Sequence, residues 1–333
     1  MTDAARRRLN PVLFQGNLRA KNYFEGWYFK HVSADRRSVF ALIPGVSLSA
    51  KGSRSFVQFI DGSTGATRWF PYPLEAFGYS LDRFEVGVGN NTFSLAGVQA
   101  RLEDENGVIE ARLSYAGITP LPSTLLWPGI MGPYSFVPFL ECNHGLVSLD
   151  HRVDGRVSAG GAVLNMDGGR GYIEKDWGSS MPSAWIWCQS NSFPRPGVSL
   201  MFSLADIPWL GGSFPGFLCA ALLPGPAAGA PGRVRVWASW NGSRVESLES
   251  GDRCISAAIS RRGERLELRM ERGRGGLLRA PAAGAMDRRI AESVDAVLAV
   301  RLTGPAGVIF EGTARPAGLE TVGDLSLLGP GRA

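Results

Sequence analysis

Short runs that alternate between apolar and polar residues recur along this chain, and they constrain its fold more than any other feature. A β-strand places successive side chains on opposite faces, so a half-buried sheet produces this period of two. The run Arg265–Glu271, in which apolar residues alternate with charged ones, is the clearest example. Glycine and proline, 43 and 21 of the 333 residues, are spread along the chain and supply turns between such runs. The sequence therefore predicts an all-β protein of many short antiparallel strands.

Regular helices have little support in the sequence. Only Ala285–Val297 could form a helix, so we expect helices to be few and short. Five prolines interrupt the apolar segment Ile118–Phe139, which excludes a central strand there and predicts an ordered loop that packs by its side chains. A second loop is predicted at Pro224–Gly232, and the tail after Gly318 offers little to anchor it.

Charge and cysteine usage exclude several classes of protein. The net charge is +5, but acidic residues interleave with the arginines of the most basic stretch, Arg261–Arg289, and no aromatic residue lies in it. A nucleic-acid groove requires unbalanced positive charge with stacking aromatics, so we expect no nucleic-acid partner. The four cysteines are widely spaced and form no CxxC pair, which argues against a disulfide framework or a zinc knuckle.

The expected location follows from the same sequence. The segment Met1–Gly16 has no continuous apolar run of the kind found in signal peptides. No apolar run approaches the roughly 18 residues that a membrane-spanning helix needs. Widely spaced thiols fit a reducing compartment. We therefore predict a cytoplasmic protein without a transmembrane segment, and we leave a peripheral membrane contact open.

One short internal repeat bears on the domain organisation. Tyr23-Phe24-Glu25 is followed by an aromatic strand, and Tyr172-Ile173-Glu174 is followed, after an insertion, by another. A period this long is typical of a duplicated domain rather than of a solenoid. The sequence therefore predicts two domains, residues 1–160 and residues 161–333.

The segment Gly171–Phe193 concentrates acids and tryptophans. In an extended strand Glu174 and Asp176 share one face and Lys175 points to the other, and two carboxylates on one face suit a proton donor. Further along, Trp185, Trp187 and Gln189 share a face opposite Ile186 and Cys188, an arrangement typical of an aromatic pocket wall or a site that stabilises a carbocation. Alternatively, the tryptophans fill a barrel core and the acids form structural ion pairs.

Other chemistry finds little support. His144 and His151 would point to opposite faces of a continuous strand, and no third ligand lies near them along the chain, so we expect no metal site. Signature motifs of nucleotide-binding proteins and of serine hydrolases are absent from the sequence. We therefore expect no cofactor.

Three segments resemble the tocopherol cyclase family: Tyr23–Lys30, Gly132–Gly145 and Gly171–Phe193. The third matches best, through Glu174-Lys175-Asp176-Trp177-Gly178, Pro182, Trp185-Ile186-Trp187, Gln189 and Asn191. The resemblance implies a fold of two lipocalin-like antiparallel β-barrels or barrel-like sandwiches, as in the related carotenoid hydratase and AttH-like proteins. The plant enzymes carry Asn where Asp176 stands, so the resemblance does not require an acid at that position.

The resemblance also implies a reaction. Family members close a prenylated quinol into a chromanol. An acid protonates an alkene of the prenyl chain, and the phenol oxygen then captures the resulting cation. We therefore predict a tocopherol cyclase-like isomerase acting on a prenylated quinol or a related isoprenoid, rather than on tocopherol precursors in particular. The predicted proton donor is Glu174 or Asp176. The predicted substrate-binding residues are Glu25, Trp27, Trp177, Trp185, Trp187, Gln189 and Asn191.

Two alternatives stay open. A non-catalytic lipocalin-like carrier would hold a hydrophobic metabolite without turning it over. A carotenoid-hydratase-like enzyme would use the same acid, but water rather than a phenol would capture the cation. All three functions require a hydrophobic small molecule as substrate or ligand.

Overall fold

The computed structural model describes residues 3–138, 140–225 and 232–330, which form two compact units. Unit 1 comprises residues 1–181 and 277–289, and unit 2 comprises residues 182–276 and 290–333. Strands dominate the described residues, which contain one α-helix, α1 (Asp3–Leu9). Short 3-10 helices lie at Leu74–Ala76, Gly132–Phe136 and Leu325–Leu328. The predicted all-β class with few, short helices is confirmed.

The first sheet is antiparallel and has twelve strands. In chain order these are β1 (Tyr23–Val32), β2 (Val39–Leu48), β3 (Arg54–Asp61), β4 (Thr67–Pro73), β5 (Phe77–Tyr79), β6 (Glu85–Val88), β7 (Asn91–Ser94), β8 (Gly97–Asp104), β9 (Gly107–Thr119), β10 (Cys142–Ala159), β11 (Ala162–Asn165) and β12 (Gly169–Gly178).

The strand order of this sheet shows how it curls. The order is β4-β3-β2-β1-β12-β10-β9-β8-β7-β6-β5, with β11 paired to β10. The two end strands, β4 and β5, are consecutive in the chain and are joined by the short helix Leu74–Ala76. Arg68 on β4 forms an ion pair with Asp104 on β8. The ends of the sheet therefore approach each other, as in a nearly closed barrel.

The second sheet is antiparallel and has ten strands. In chain order these are β13 (Trp185–Ser190), β14 (Ser199–Trp209), β15 (Gly212–Leu223), β16 (Arg233–Ala238), β17 (Arg244–Ser250), β18 (Cys254–Arg261), β19 (Glu264–Glu271), β20 (Gly275–Ala282), β21 (Ala285–Gly304) and β22 (Gly307–Val322).

The second sheet resembles the first in its strand order. Its order is β16-β15-β14-β13-β22-β21-β19-β18-β17, with β20 paired to β21, and its end strands β16 and β17 are again consecutive in the chain. Arg235 on β16 forms an ion pair with Glu264 on β19. The hairpin residues Leu277–Arg289, from β20 and the start of β21, belong to unit 1.

Each unit has its own apolar core on one face of its strands. In unit 1 the core includes Trp27, Phe29 and Phe40, and in unit 2 it includes Ile186 and Phe202, all of them fully buried. Alternating burial along the strands produces these cores, since every second side chain points inward. The predicted fold of two lipocalin-like barrels or barrel-like sandwiches is confirmed.

Two local expectations are wrong. Residues 285–297 form the first part of β21 rather than a helix, because burial alternates along the strand, with Ala296 and Leu298 in the core. The tail after Gly318 is anchored, because β22 runs to Val322 and Leu328 is buried.

Three other expectations are not decided by these elements. The domain boundary after residue 160 stays a prediction; in the structure β12, which follows it, pairs with β1 and β10 of unit 1. Most of the second predicted loop, residues 226–231, lies outside the described residues. Among the described helices none has the length and apolar character to cross a membrane, and the cytoplasmic location stays a prediction.

Candidate active site

The acids predicted to carry the chemistry lie on β12, between β1 and β10. In the register of these strands Asp176 lies opposite His144 of β10, and Lys175 lies opposite Trp27 of β1. Alternation then separates two faces of the sheet. The inner face carries Trp27 and belongs to the core of unit 1, and the outer face carries Glu174 and Asp176. The predicted division of Glu174 and Asp176 from Lys175 is confirmed.

The outer face brings four side chains together, and we call them the acid–histidine cluster: Tyr172, Glu174 and Asp176 of β12 and His144 of β10. His144 Nδ1 lies 2.7 Å from Asp176 Oδ1, and His144 Nε2 lies 3.3 Å from Glu174 Oε2. The Tyr172 hydroxyl donates a hydrogen bond to Glu174. The imidazole of His144 thus lies between two carboxylates.

This placement sets the charge of His144. Burial alone would lower the pKa of His144, but the charges of Asp176 and Glu174, with the hydrogen bond to Asp176, raise it to about 10. His144 is therefore an imidazolium at neutral pH, with a proton on each nitrogen. Burial and the charge of Glu174 raise the pKa of Tyr172 well above its ordinary value, so its hydroxyl stays a donor.

The members of the cluster differ in exposure. The side chain of Asp176 is 29% exposed, against 10% for His144 and 5% for Glu174. Within the described residues His144 Nε2 makes no hydrogen bond of good geometry, so its 3.3 Å contact with Glu174 is an ion pair. Asp176 is therefore the member of the cluster most open to a ligand, whereas His144 Nε2 is buried.

The same donors raise the question of a metal. One ligand atom from each of His144, Glu174 and Asp176 lies within 4.8 Å of the others, close enough to be considered for a metal ion. No signal along the chain predicts this grouping, because the two acids come from the strand that pairs with the strand of His144. A metal ion bound there would compete with the proton on His144, because it needs an unprotonated imidazole nitrogen, and the expectation of no metal site stays a prediction.

The inner face holds a different set of charges. The Lys175 ammonium donates to Glu25 and to the carbonyl of Leu13, the latter at 2.7 Å, and both charged side chains are fully buried. Glu25 also accepts hydrogen bonds from the backbone of Gln15 at 2.9 Å and from Tyr23. These bonds satisfy both charges within unit 1.

Three predicted substrate-binding residues therefore lie away from the acids. Trp27 and Trp177 flank the Lys175 ammonium, which lies 5.2 Å and 4.6 Å from their rings, and Glu25 pairs with the same ammonium. All three are on the inner face, opposite the face of Glu174 and Asp176. The structure does not bring them to the acid–histidine cluster, and their part in substrate binding stays a prediction.

The other predicted substrate-binding residues lie in unit 2. Trp185, Trp187 and Gln189 share one face of β13, and Ile186 and Cys188 lie in the core on the other, which confirms the predicted alternation. Trp185 and Trp187 lie on the face opposite this core but are themselves buried, at 3% and 5% exposure, so the alternative that the tryptophans are structural stays open. Asn191, just beyond β13, is also buried.

Glu320 of β22 is an acid that the sequence analysis missed on the tryptophan face. It lies opposite Trp187 in the register of β13 and β22, and it accepts a hydrogen bond of 2.7 Å from Trp185 Nε1. Only the pairing of β13 with a strand more than a hundred residues later brings them together, so no local signal could have found it.

The remaining two histidines lie on the inner face of unit 1. His31 Nε2 lies 2.6 Å from the Tyr115 hydroxyl, and His151 Nδ1 lies 3.0 Å from Ser148 Oγ. Burial lowers the pKa of His151 to about 3 and holds that of His31 well below its ordinary range, so both stay neutral. His144 and His151 lie on opposite faces, as predicted.

Comparison with known proteins agrees with the resemblance found in the sequence. Residues 127–204 match a family model described as tocopherol cyclase-like, which confirms that resemblance and supports a cyclase-like enzyme. No protein of curated function matches the sequence at a significant level.

Solved structures of CghA are similar to this chain in fold. The crystal structure of CghA covers 91% of this chain and 89% of its own, with 11% identity and a TM-score of 0.52. CghA with Sch210972 gives the same coverage and identity and a TM-score of 0.51. An AttH-like protein from Nitrosomonas europaea covers 90% of this chain and 92% of its own, with 12% identity and a TM-score of 0.47.

Proposed function

We propose that this chain, whose residues 127–204 match a tocopherol cyclase-like family, is an isomerase that closes a prenylated quinol or related isoprenoid by proton-initiated addition. The observation that carries the proposal is the acid–histidine cluster. All four of its members lie within the matched residues, and the cluster holds an imidazolium between two carboxylates on one sheet face. A histidine whose pKa is strongly shifted by neighbouring carboxylates is typical of catalytic sites.

The proton balance of the reaction suits such a cluster. His144 passes the proton on its Nδ1 to Asp176, which gives it to one alkene carbon, and a tertiary cation forms at the other carbon. The phenol oxygen bonds to that cation and releases its own proton, which returns to the cluster. The substrate is isomerised without a net change in protons, so the enzyme needs a group that both donates and accepts.

The members of the cluster have separate proposed roles. Asp176, the most exposed, exchanges protons with the substrate. His144 transfers protons between Asp176 and Glu174. Glu174, held by Tyr172, keeps the imidazole charged and oriented. Trp185, Trp187, Gln189 and Asn191, which belong to unit 2, remain proposed substrate-binding residues.

A direct assay tests the proposal. Purified full-length protein is incubated with a prenylated hydroquinone in D2O, and the product is followed by chromatography and mass spectrometry. The proposal predicts a ring-closed isomer that has gained one deuterium on carbon. We expect Asp176→Asn and Glu174→Gln to lower kcat about 100-fold, the usual scale of general acid–base catalysis.

The matched control is Glu141→Gln, because Glu141 is an exposed acid just before β10 and lies outside the cluster. It should keep wild-type turnover. Full activity in both Asp176→Asn and Glu174→Gln would overturn the proposal. The same assay addresses the alternatives, because a hydratase gives a product heavier by one water and a carrier returns its ligand unchanged.

A further inference from the structure

The proline-rich segment between β9 and β10 ends in an apolar tip. Leu125 and Leu126 are 75% and 73% exposed, and Trp127, next to them, is 49% exposed. Three consecutive large apolar residues with this exposure are unusual on a folded protein, where exposed apolar residues are normally scattered. We call Leu125, Leu126 and Trp127 the apolar tip.

The tip is held by its backbone. Thr124 and Trp127 exchange two backbone hydrogen bonds, of 3.1 and 3.2 Å, and the Thr124 hydroxyl accepts a further one from the Trp127 backbone. The two leucines therefore occupy the centre of a tight turn and project from it. On either side Leu121 and Ile130 are buried and anchor the segment. The exposure of the leucines is thus a property of an ordered turn.

The charge pattern around the tip points to its partner. Between Arg112 and Glu141 the sequence contains no Asp, Glu, Lys, Arg or His. Gly129 packs against Pro11, and Arg8, which is exposed, precedes Pro11 by three residues, a reach of at most about 11 Å. An uncharged apolar projection that begins near an arginine suits binding to a lipid surface. The tip contacts acyl chains, and the arginine contacts anionic headgroups.

We propose that the apolar tip docks this protein onto the surface of a lipid bilayer that contains anionic lipid. The leucines enter the boundary between headgroups and acyl chains, and Trp127 lies at the headgroup level that tryptophan favours. Arg8 adds a weaker attraction that salt screens. The proposal goes beyond the cyclase proposal and does not require it, although an enzyme for isoprenoids would gain access to substrate dissolved in the bilayer.

Vesicle co-sedimentation of the full-length protein tests the docking. The vesicles contain phosphatidylcholine and phosphatidylglycerol, and the partition coefficient is measured for wild type and for the double variant Leu125→Ser, Leu126→Ser. We expect the double variant to partition at least about tenfold more weakly, because two leucine side chains no longer leave water. Arg8→Ala should weaken binding only a few-fold, and only at low salt.

The matched control is Leu277→Ser, because Leu277 is 59% exposed on unit 1 but is followed by Leu278 and Arg279 rather than by an apolar turn. It should bind vesicles like wild type. Circular dichroism checks that the double variant is folded, as expected for exposed side chains. Absence of wild-type binding, or equal binding by wild type and double variant, would overturn the proposal and leave a protein partner for the tip. The assay involves no turnover, so its outcome is separate from that of the cyclase assay.

Discussion

The two faces of the sheet formed by β10 and β12 shift the pKa of a histidine in opposite directions. On the outer face His144 lies between two carboxylates, and its pKa rises to about 10. On the inner face, seven residues later in β10, His151 contacts Ser148 and Tyr115 rather than an acid, and burial lowers its pKa to about 3. Burial opposes charge at both positions, so the neighbouring carboxylates decide the outcome.

A second contrast separates structural from reactive charge. The buried pair of Glu25 and Lys175 is surrounded by backbone groups and by Tyr23, which satisfy both charges. The acid–histidine cluster has a partly exposed carboxylate at Asp176 and an imidazolium nitrogen without a well-formed hydrogen bond among the described residues. An ionised group whose hydrogen-bonding positions are all occupied by protein groups stabilises the fold. An ionised group that is partly exposed can also bind or react with a ligand.

Breaking the inner pair should have the largest effect. Lys175→Ala leaves the Glu25 carboxylate buried without its partner, so we expect a loss of about 3–5 kcal/mol in the free energy of unfolding, measured by urea denaturation. The control is Lys51→Ala, which breaks an ion pair with Asp287 whose side chains are both largely exposed, and it should change stability little. Equal effects of the two changes would show that the inner pair is not desolvated as described.

The outer histidine should make stability fall as pH rises. The folded pKa of His144, about 10, is above the ordinary value of 6.5, so its stabilisation is complete below pH 6.5 and is lost between there and pH 10. We expect the free energy of unfolding to drop by a few kcal/mol over that window. His144→Gln should lack this component, so the difference between wild type and variant should shrink as pH rises. A difference that is constant with pH would contradict the charge assignment.

The inner histidine should give the opposite slope. The pKa of His151 in the folded protein, about 3, lies below the ordinary value of 6.5, so protonation favours the unfolded chain and stability is lost as pH falls from 6.5 towards 3. At pH 5 this amounts to roughly 2 kcal/mol. Comparison of wild type with His151→Gln by urea denaturation at pH 7 and pH 5 isolates the effect. The variant should lose less stability than wild type, and an equal loss in both would count against a buried neutral imidazole.

The smallest expected effect concerns the space around His151. A Cβ on Gly171 would overlap His151 Nε2, so Gly171→Ala should cost about 1–3 kcal/mol through overpacking. Gly78→Ala is the control, because a Cβ there would meet no atom within 4 Å. Thermal unfolding compares the two. If Gly171→Ala were as stable as Gly78→Ala, the inner face would be less closely packed than the structure shows.

Local alternation made part of the site predictable from sequence. The separation of Glu174 and Asp176 from Lys175, and of Trp185 from Ile186, depends only on the period of a strand. The contact of His144 with Asp176 could not be foreseen, because it depends on the register between β10 and β12, which the chain sets through long-range pairing. The helix expected over Ala285–Val297 failed for a related reason, since pairing with β22 overrides local composition there.

The internal repeat also shows that strand pairing could not be predicted from the sequence. The sequence interpretation set Tyr23–Glu25 and Tyr172–Glu174 at the starts of two domains. In the structure their strands, β1 and β12, are antiparallel neighbours in one sheet. The repeat corresponds to a local contact instead, because in each copy the tyrosine hydroxyl donates a hydrogen bond to the glutamate two residues later. One pair faces inward and the other outward, so the same spacing of tyrosine and glutamate stabilises the fold on one face and belongs to the proposed active site on the other.

Nuclear magnetic resonance of the imidazole nitrogens tests the central claim most directly, because the chain contains only three histidines. At pH 8 the account predicts one imidazolium with both nitrogens protonated, assigned to His144 by its loss in His144→Gln, and two neutral rings from His31 and His151. Three neutral rings at pH 8, or a charged ring that persists in His144→Gln, would contradict it.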